Sequence, residues 1–306
     1  MSEKKPVNLE ASVRRRLLNI SRERAEDFNL VLTRYTTERF LYRLSMSPYA
    51  DQFVLKGALL IGVWLKKDYR PTRDIDLMSY VDNAQQRIIS IFQEICEIDV
   101  EPDAVTFDSR SVRVELMRGA PEFQGLRVHL RAHLENARID MRIDIGFGDA
   151  VIPREIEIAL PTILDFPQPV LKAYSTETVV SEKFEAMIAL GFTNSRMKDF
   201  YDIWRLSSEC DFDGELLLAA IEATLEKRKT QISVLPPVAL SDDFAGDAEK
   251  SKQWHAFLSR IGSTERTDFE SLVSGLREFL IPLAAAAKDH VEFRRQWRAG
   301  GPWGER

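Results

Sequence analysis

Two runs of alternating residues, Leu126 to Leu134 and Arg138 to Phe147, flank Glu135-Asn136-Ala137 and read as a β-hairpin. In the second run Ile139, Met141, Ile143, Ile145 and Phe147 fall on one face, and Asp140, Arg142 and Asp144 on the other. In the first run His129 and His133 alternate with Arg127 and Arg131, which makes the histidines part of a polar strand face rather than a ligand cluster. A third segment, Ser111 to Met117, alternates in the same way. The chain therefore reads as a mixed sheet with helices, not as a repeat protein.

Helical periodicity fills the remainder. Residues 9 to 47 carry Leu17, Leu18, Phe28, Val31, Leu32, Tyr35, Phe40, Leu41 and Leu44 at helical spacing until Pro48, which predicts two opening helices. From Phe53 to Trp64 the chain reads as a short apolar helix after the glycine turn, and Ala84 to Glu97 as another helix. Beyond Pro161, Pro167 and Pro169 the pattern turns helical again, with Glu177 to Leu190 and then Met197 to Leu206. Residues 230 to 252 read as a surface connection, Trp254 to Phe279 as two or three closing helices, and the tail from Ala299 as frayed. Three stretches follow: N-terminal helices over 1–50, a core over 51–165 and a helical C-terminal domain over 166–306.

The chemistry concentrates at a few points. Gly57-Ala58 lacks bulk, so backbone N–H groups there can approach a phosphate. Asp74 and Asp76 are one residue apart on a strand, so both point to the same side, roughly 7 Å apart. Two carboxylates aimed into one pocket repel, and bound Mg²⁺ (or Mn²⁺) is the usual compensation. A lone D-x-D is also common on solvated strand edges; the glycine turn before it raises its weight. Asp144 can face the same pocket, as a metal ligand or as the partner of an arginine. Lys183 falls inside an apolar stripe with Val180 and Met187, where its stem snorkels to the surface or its ammonium meets an anion. Such a lysine is costly to a fold, so its removal is expected to leave stability near or above that of the natural chain. Asp199 can meet Lys183, Arg196 or a metal, and Asp202 sits on the flank.

With 306 residues, 44% of them apolar, the chain can bury one large core or two smaller ones. No apolar run is long enough to span a bilayer, and Met1 to Pro6 is too polar for a secretory signal, so a cytoplasmic protein is expected. Cys96 and Cys210 lack metal-type spacing and read as small buried thiols. A net charge of −6 excludes a globally basic nucleic-acid coat but not a local basic groove, for which Arg14, Arg15 and Arg16 of the first helix are one source.

Phe53-Val-Leu-Lys-Gly-Ala-Leu-Leu, Arg70-Pro-Thr-Arg-Asp-Ile-Asp-Leu, Arg142-Ile-Asp-Ile-Gly-Phe-Gly-Asp, Glu182-Lys-Phe-Glu-Ala-Met and Asn194-Ser-Arg-Met-Lys-Asp-Phe-Tyr-Asp together resemble the AbiEii/AbiGii toxin family, from about residue 10 to about 285. The resemblance implies an α+β fold with a DNA polymerase β-like nucleotidyltransferase core. It also implies a toxin of toxin–antitoxin or phage-defence systems, a cognate antitoxin, and transfer of nucleotides from an NTP to tRNA. Carried over by position, it gives Gly57 and Ala58 as the glycine turn and Asp74 and Asp76 as the metal pair. Lys183 becomes the motif lysine, which would pair with the triphosphate, and Asp199 the later motif aspartate; in the mechanism that follows, Asp144 or Asp199 is the candidate acceptor of the nucleophile's proton. Ala58 departs from the Gly or Ser usual at that position, which removes a hydroxyl contact and bears on nucleotide preference. Thr72 stands where part of the family carries a modifiable hydroxyl; capping a turn after Pro71 is its other reading. A protein or small-molecule acceptor, a non-catalytic binding module and a metal-dependent nuclease are the rival readings.

Overall fold

A computed structural model describes residues 8–65, 72–117 and 125–305. Met1 to Pro6 and the Arg70-Pro71 pair lie outside the described residues. Helices α1 (Leu9–Glu23) and α2 (Phe28–Met46) open the chain, capped by Asn8 and Asp27, whose side chains accept from the N–H groups of Ala11 and Leu30. Then come β1 (Phe53–Lys56), α3 (Ala58–Leu65), β2 (Asp74–Ser79) and α4 (Gln85–Cys96). Strands β3 (Thr106–Leu116), β4 (Leu126–Leu134), β5 (Ala137–Phe147), β6 (Ile156–Ala159) and β7 (Val170–Ala173) follow. The rest holds α5 (Thr176–Leu190), α6 (Met197–Glu209), β8 (Phe212–Asp213), α7 (Gly214–Arg228), α8 (Asp242–Ala245), α9 (Ala248–Arg260), α10 (Phe269–Asp289), β9 (Arg295–Trp297) and β10 (Trp303–Glu305). The fold is α+β. No helix among the described residues is long and apolar enough to cross a membrane.

The described residues divide into two compact units, one drawn from Met1–Val63, Pro71–Gly148 and Ile156–Ala173, the other from Trp64–Arg70, Asp149–Glu155 and Tyr174–Arg306. The first unit holds a seven-stranded mixed sheet in the order β3-β4-β5-β2-β1-β7-β6. Phe53 to Lys56 forms a strand, not part of a helix as the apolar run suggested, because Gly57 at φ +78° breaks the segment in two. The chain of this unit runs on past the prolines, where β7 pairs in parallel with β1. On the core face, Phe53 and Phe40 both pack on Phe92, with Phe107 edge-on to Phe40. Four such rings, each burying most of its surface, supply much of the unit's cohesion, at about 1.5–3 kcal/mol per buried side chain. Arg43 from α2 grips the buried Asp103 with two hydrogen bonds, at 2.7 and 3.1 Å, which fixes the loop after α4.

Glu38 on α2 accepts a 2.9 Å hydrogen bond from the Ile163 N–H. Burial pushes its carboxyl up to about 7, against the opposing pulls of that N–H and of the neighbouring arginines. The folded chain thus holds a proton that the unfolded chain releases between about pH 4.5 and 7. Stability should fall as pH rises through that window, by on the order of 3 kcal/mol. Glu38→Gln keeps an acceptor and cannot ionise, so denaturant midpoints at about pH 5 and about pH 8 should lie closer together than in the natural chain. An unchanged difference would place the pH response elsewhere.

In the second unit α5 packs on α6 and α7, α10 packs on α6, α7 and α9, and the fully buried Phe200, Phe244 and Phe269 cluster ring against ring. Residues 230–252 are not only a connection. Ser241 and Asp247 cap α8 and α9, and Phe244 stacks on Phe200 with centroids 5.6 Å apart. The tail is anchored rather than frayed. Strands β9 and β10 join β8 in a small sheet; the Trp303 ring lies parallel to Phe279, and its indole N–H donates to the Phe279 carbonyl at 2.9 Å. Burial pushes the thiols of Cys96 and Cys210 up to about 12 and about 11, which keeps both protonated and inert.

Candidate active site

The site is built where β1 turns into α3 beside β2. Pairing of β1 with β2 sets Lys56 opposite Asp76, and the parallel pairing of β2 with β5 sets Asp74 beside Arg142 and Asp76 beside Asp144. Since partners in register share a face, Asp74, Asp76 and Asp144 all stand on the face opposite the aromatic core. Gly57 is wedged against this group. A β-carbon there would lie 2.0 Å from Asp76 Oδ2 and 2.7 Å from its Cγ. The carboxylate therefore touches the chain just before Ala58, the first residue of α3, where backbone N–H groups lack intrahelical acceptors. Gly57→Ala combines this clash with a backbone conformation that costs about 1–3 kcal/mol for other residues. It should lower the melting temperature and remove any activity that depends on Asp76. Normal stability together with normal activity would show that the close approach is not required.

Asp144 and Asp74 have different partners. Arg127, across the hairpin, donates two hydrogen bonds to Asp144, at 2.7 Å from Nε to Oδ1 and 2.8 Å from Nη2 to Oδ2. These bonds hold the Arg127 guanidinium above its ordinary pKa. Both Asp144 oxygens are thus engaged by an arginine, the alternative to metal ligation that the sequence left open. Asp74 Oδ1 lies 3.0 Å from Arg142 Nε but is a buried oxygen with no aligned hydrogen bond. The Thr72 hydroxyl donates to the Asp74 carbonyl at 3.3 Å.

Among the described residues no group of three or more His, Cys, Asp or Glu side chains is placed to hold a metal. Two carboxylates nevertheless suit Mg²⁺ or Mn²⁺, because such ions keep several waters and take substrate phosphates as ligands. Asp74, with its buried unbonded oxygen, and Asp76, seated against Gly57, fit that requirement, and Asp144 in its bidentate pair does not.

Lys183 and Asp199 belong to the second unit. Lys183 Nζ on α5 lies 2.9 Å from Asp199 Oδ1 and 2.8 Å from Asp202 Oδ2 on α6, and Arg196 Nε lies 2.7 Å from Asp199 Oδ2. Both aspartates are fully buried. The lysine is therefore the counter-ion of two carboxylates, which reverses the expectation that removing it leaves stability intact. Asp202, read from sequence as a flank residue, is its second partner; the i, i+3 spacing of the two aspartates on one helix was the available signal. The arginine that engages Asp144 is Arg127, which the sequence showed only as part of a polar strand face, whereas Arg142, the arginine the sequence offered for that role, lies against Asp74.

A family model described as "Nucleotidyl transferase AbiEii toxin, Type IV TA system" matches residues 39–275. No curated protein matches the chain. Among solved structures, the nucleotidyltransferase toxin MenT4 from Mycobacterium tuberculosis is similar at 18% identity and a TM-score of 0.48, over 92% of this chain and 94% of that one. JHP933 from Helicobacter pylori is similar at 13% identity and a TM-score of 0.43, over 83% and 89%.

Proposed function

Since the chain belongs to the AbiEii family of nucleotidyltransferase toxins of type IV toxin–antitoxin systems, we propose that it transfers a nucleotide from an NTP to the 3′ end of a tRNA, at Asp74 and Asp76. The observation that carries this reading is the seating of Asp76 against Gly57, which ties a carboxylate to the start of α3. Asp74 and Asp76 would hold Mg²⁺ or Mn²⁺, which when bound orients the triphosphate and offsets charge developing at the α-phosphorus. Backbone N–H groups after Gly57 bind phosphate oxygens, with no help from a side chain at Ala58. Arg127 fixes Asp144 so that the row beside the metal pair keeps its geometry. A cognate antitoxin is the partner that the family implies.

The test is made in cells. After brief induction of the chain, sequencing of small-RNA 3′ ends should show nucleotides added to tRNA as growth stops. Growth arrest with unaltered RNA ends would overturn the RNA acceptor in favour of a protein or small-molecule one.

A further inference from the structure

The polar face of the large sheet is organised in rows. Register sets Asp74 beside Arg142, Arg142 opposite His129, and His129 opposite Arg113. These four residues make one line perpendicular to the strands, from β2 across β5 and β4 to the edge strand β3, a span of about 14 Å at about 4.8 Å per strand step. The line forms the floor of a groove of about 1110 Å³, lined also by Arg73 beside Asp74 and by Arg110 at the irregularity in β3.

The groove's acidic groups already have partners. Asp74 meets Arg142, Asp108 and Asp140 meet Arg131, Glu115 meets His129, and Asp27 caps α2. Arg73, Arg110 and Arg113 are exposed and make no side-chain hydrogen bond or ion pair among the described residues. The groove thus presents three uncommitted guanidinium groups along a path that ends at Asp74, the first carboxylate of the D-x-D pair. Among the described residues no Phe, Tyr or Trp lines it, so these residues offer phosphate contacts rather than a broad aromatic platform for stacking bases.

We infer that this row is a track for the sugar–phosphate backbone of the single-stranded end of the acceptor RNA, with Arg110 and Arg113 holding phosphates at the edge strand, on the order of 14 Å back from Asp74. The inference rests on the nucleotide-transfer reading and adds to it where the acceptor lies and that recognition along this track is independent of base sequence. It also moves the acceptor surface from Arg14–Arg16 of α1 to the sheet. Arg14 and Arg16 are drawn to Glu135 and Asp165, at 3.4 Å each.

The experiment measures binding of end-labelled single-stranded oligoribonucleotides, oligo(U) and oligo(A), to the full chain without NTP or metal across a salt series. The natural chain should bind both alike. Arg110→Gln/Arg113→Gln should bind more weakly and lose about 1.4 from the slope of log K against log salt, for two phosphates at about 0.7 each. Its melting temperature should not change, since neither side chain has a partner to lose. Arg14→Gln/Arg15→Gln/Arg16→Gln should bind as the natural chain does. Failure of the natural chain to bind, an unchanged slope in the Arg110/Arg113 variant, or loss confined to the α1 variant would each overturn the track. Since the assay contains no NTP, binding on the track without nucleotide transfer would sink only the enzymatic reading. Transfer with an unchanged slope would sink only the track.

Discussion

Asp76→Ala is expected to abolish nucleotide transfer, by on the order of 10³-fold or more, and to let cells that express it grow. The carboxylate is one of two in the proposed metal site and the one that touches Gly57, so no neighbour can replace it. Stability should stay within about 1 kcal/mol, because the side chain is only partly buried and its loss relieves repulsion with Asp74 and Asp144. Asp74→Ala should behave alike in transfer, and it also releases Arg142. Cells that stop growing with either variant as they do with the natural chain would refute the metal mechanism.

Lys183→Ala is expected to act on the fold. It leaves Asp199 and Asp202 buried with one cation fewer, and breaking a buried pair costs about 3–5 kcal/mol. For a chain of this size that corresponds to a fall of on the order of 10 °C in melting temperature. Adding Asp202→Asn to Lys183→Ala removes one of the stranded charges and should recover part of the loss. A stable Lys183→Ala variant that has lost only NTP affinity would instead favour the triphosphate role implied by the family resemblance.

What could be read from sequence followed the range of the interactions. β2, β4 and β5 were legible because one buried face imposes a period of two over many residues. β1, β6 and β7 span four residues each, too few to show a period, and β1 runs directly into the apolar α3. The anchored tail escaped because Trp303 acts through Phe279, a contact invisible to local pattern. The partner of Asp144 was accessible in principle. A turn at Glu135-Asn136 sets Leu134 opposite Ala137, and counting outward along the hairpin sets Arg127 opposite Asp144. The partner of Lys183 was not, since nothing local fixes how α5 meets α6. The groove arginines were hidden by the acidic overall balance, which says nothing about which charges the sheet brings into one row.

The most direct measurement incubates the full chain with each α-labelled NTP in turn, deproteinised total RNA and Mg²⁺, and then locates the label. The account predicts label at RNA 3′ ends, absent when the metal is chelated and absent with Asp76→Ala. Label on the protein or on a small molecule, or transfer that persists without divalent metal, would contradict it.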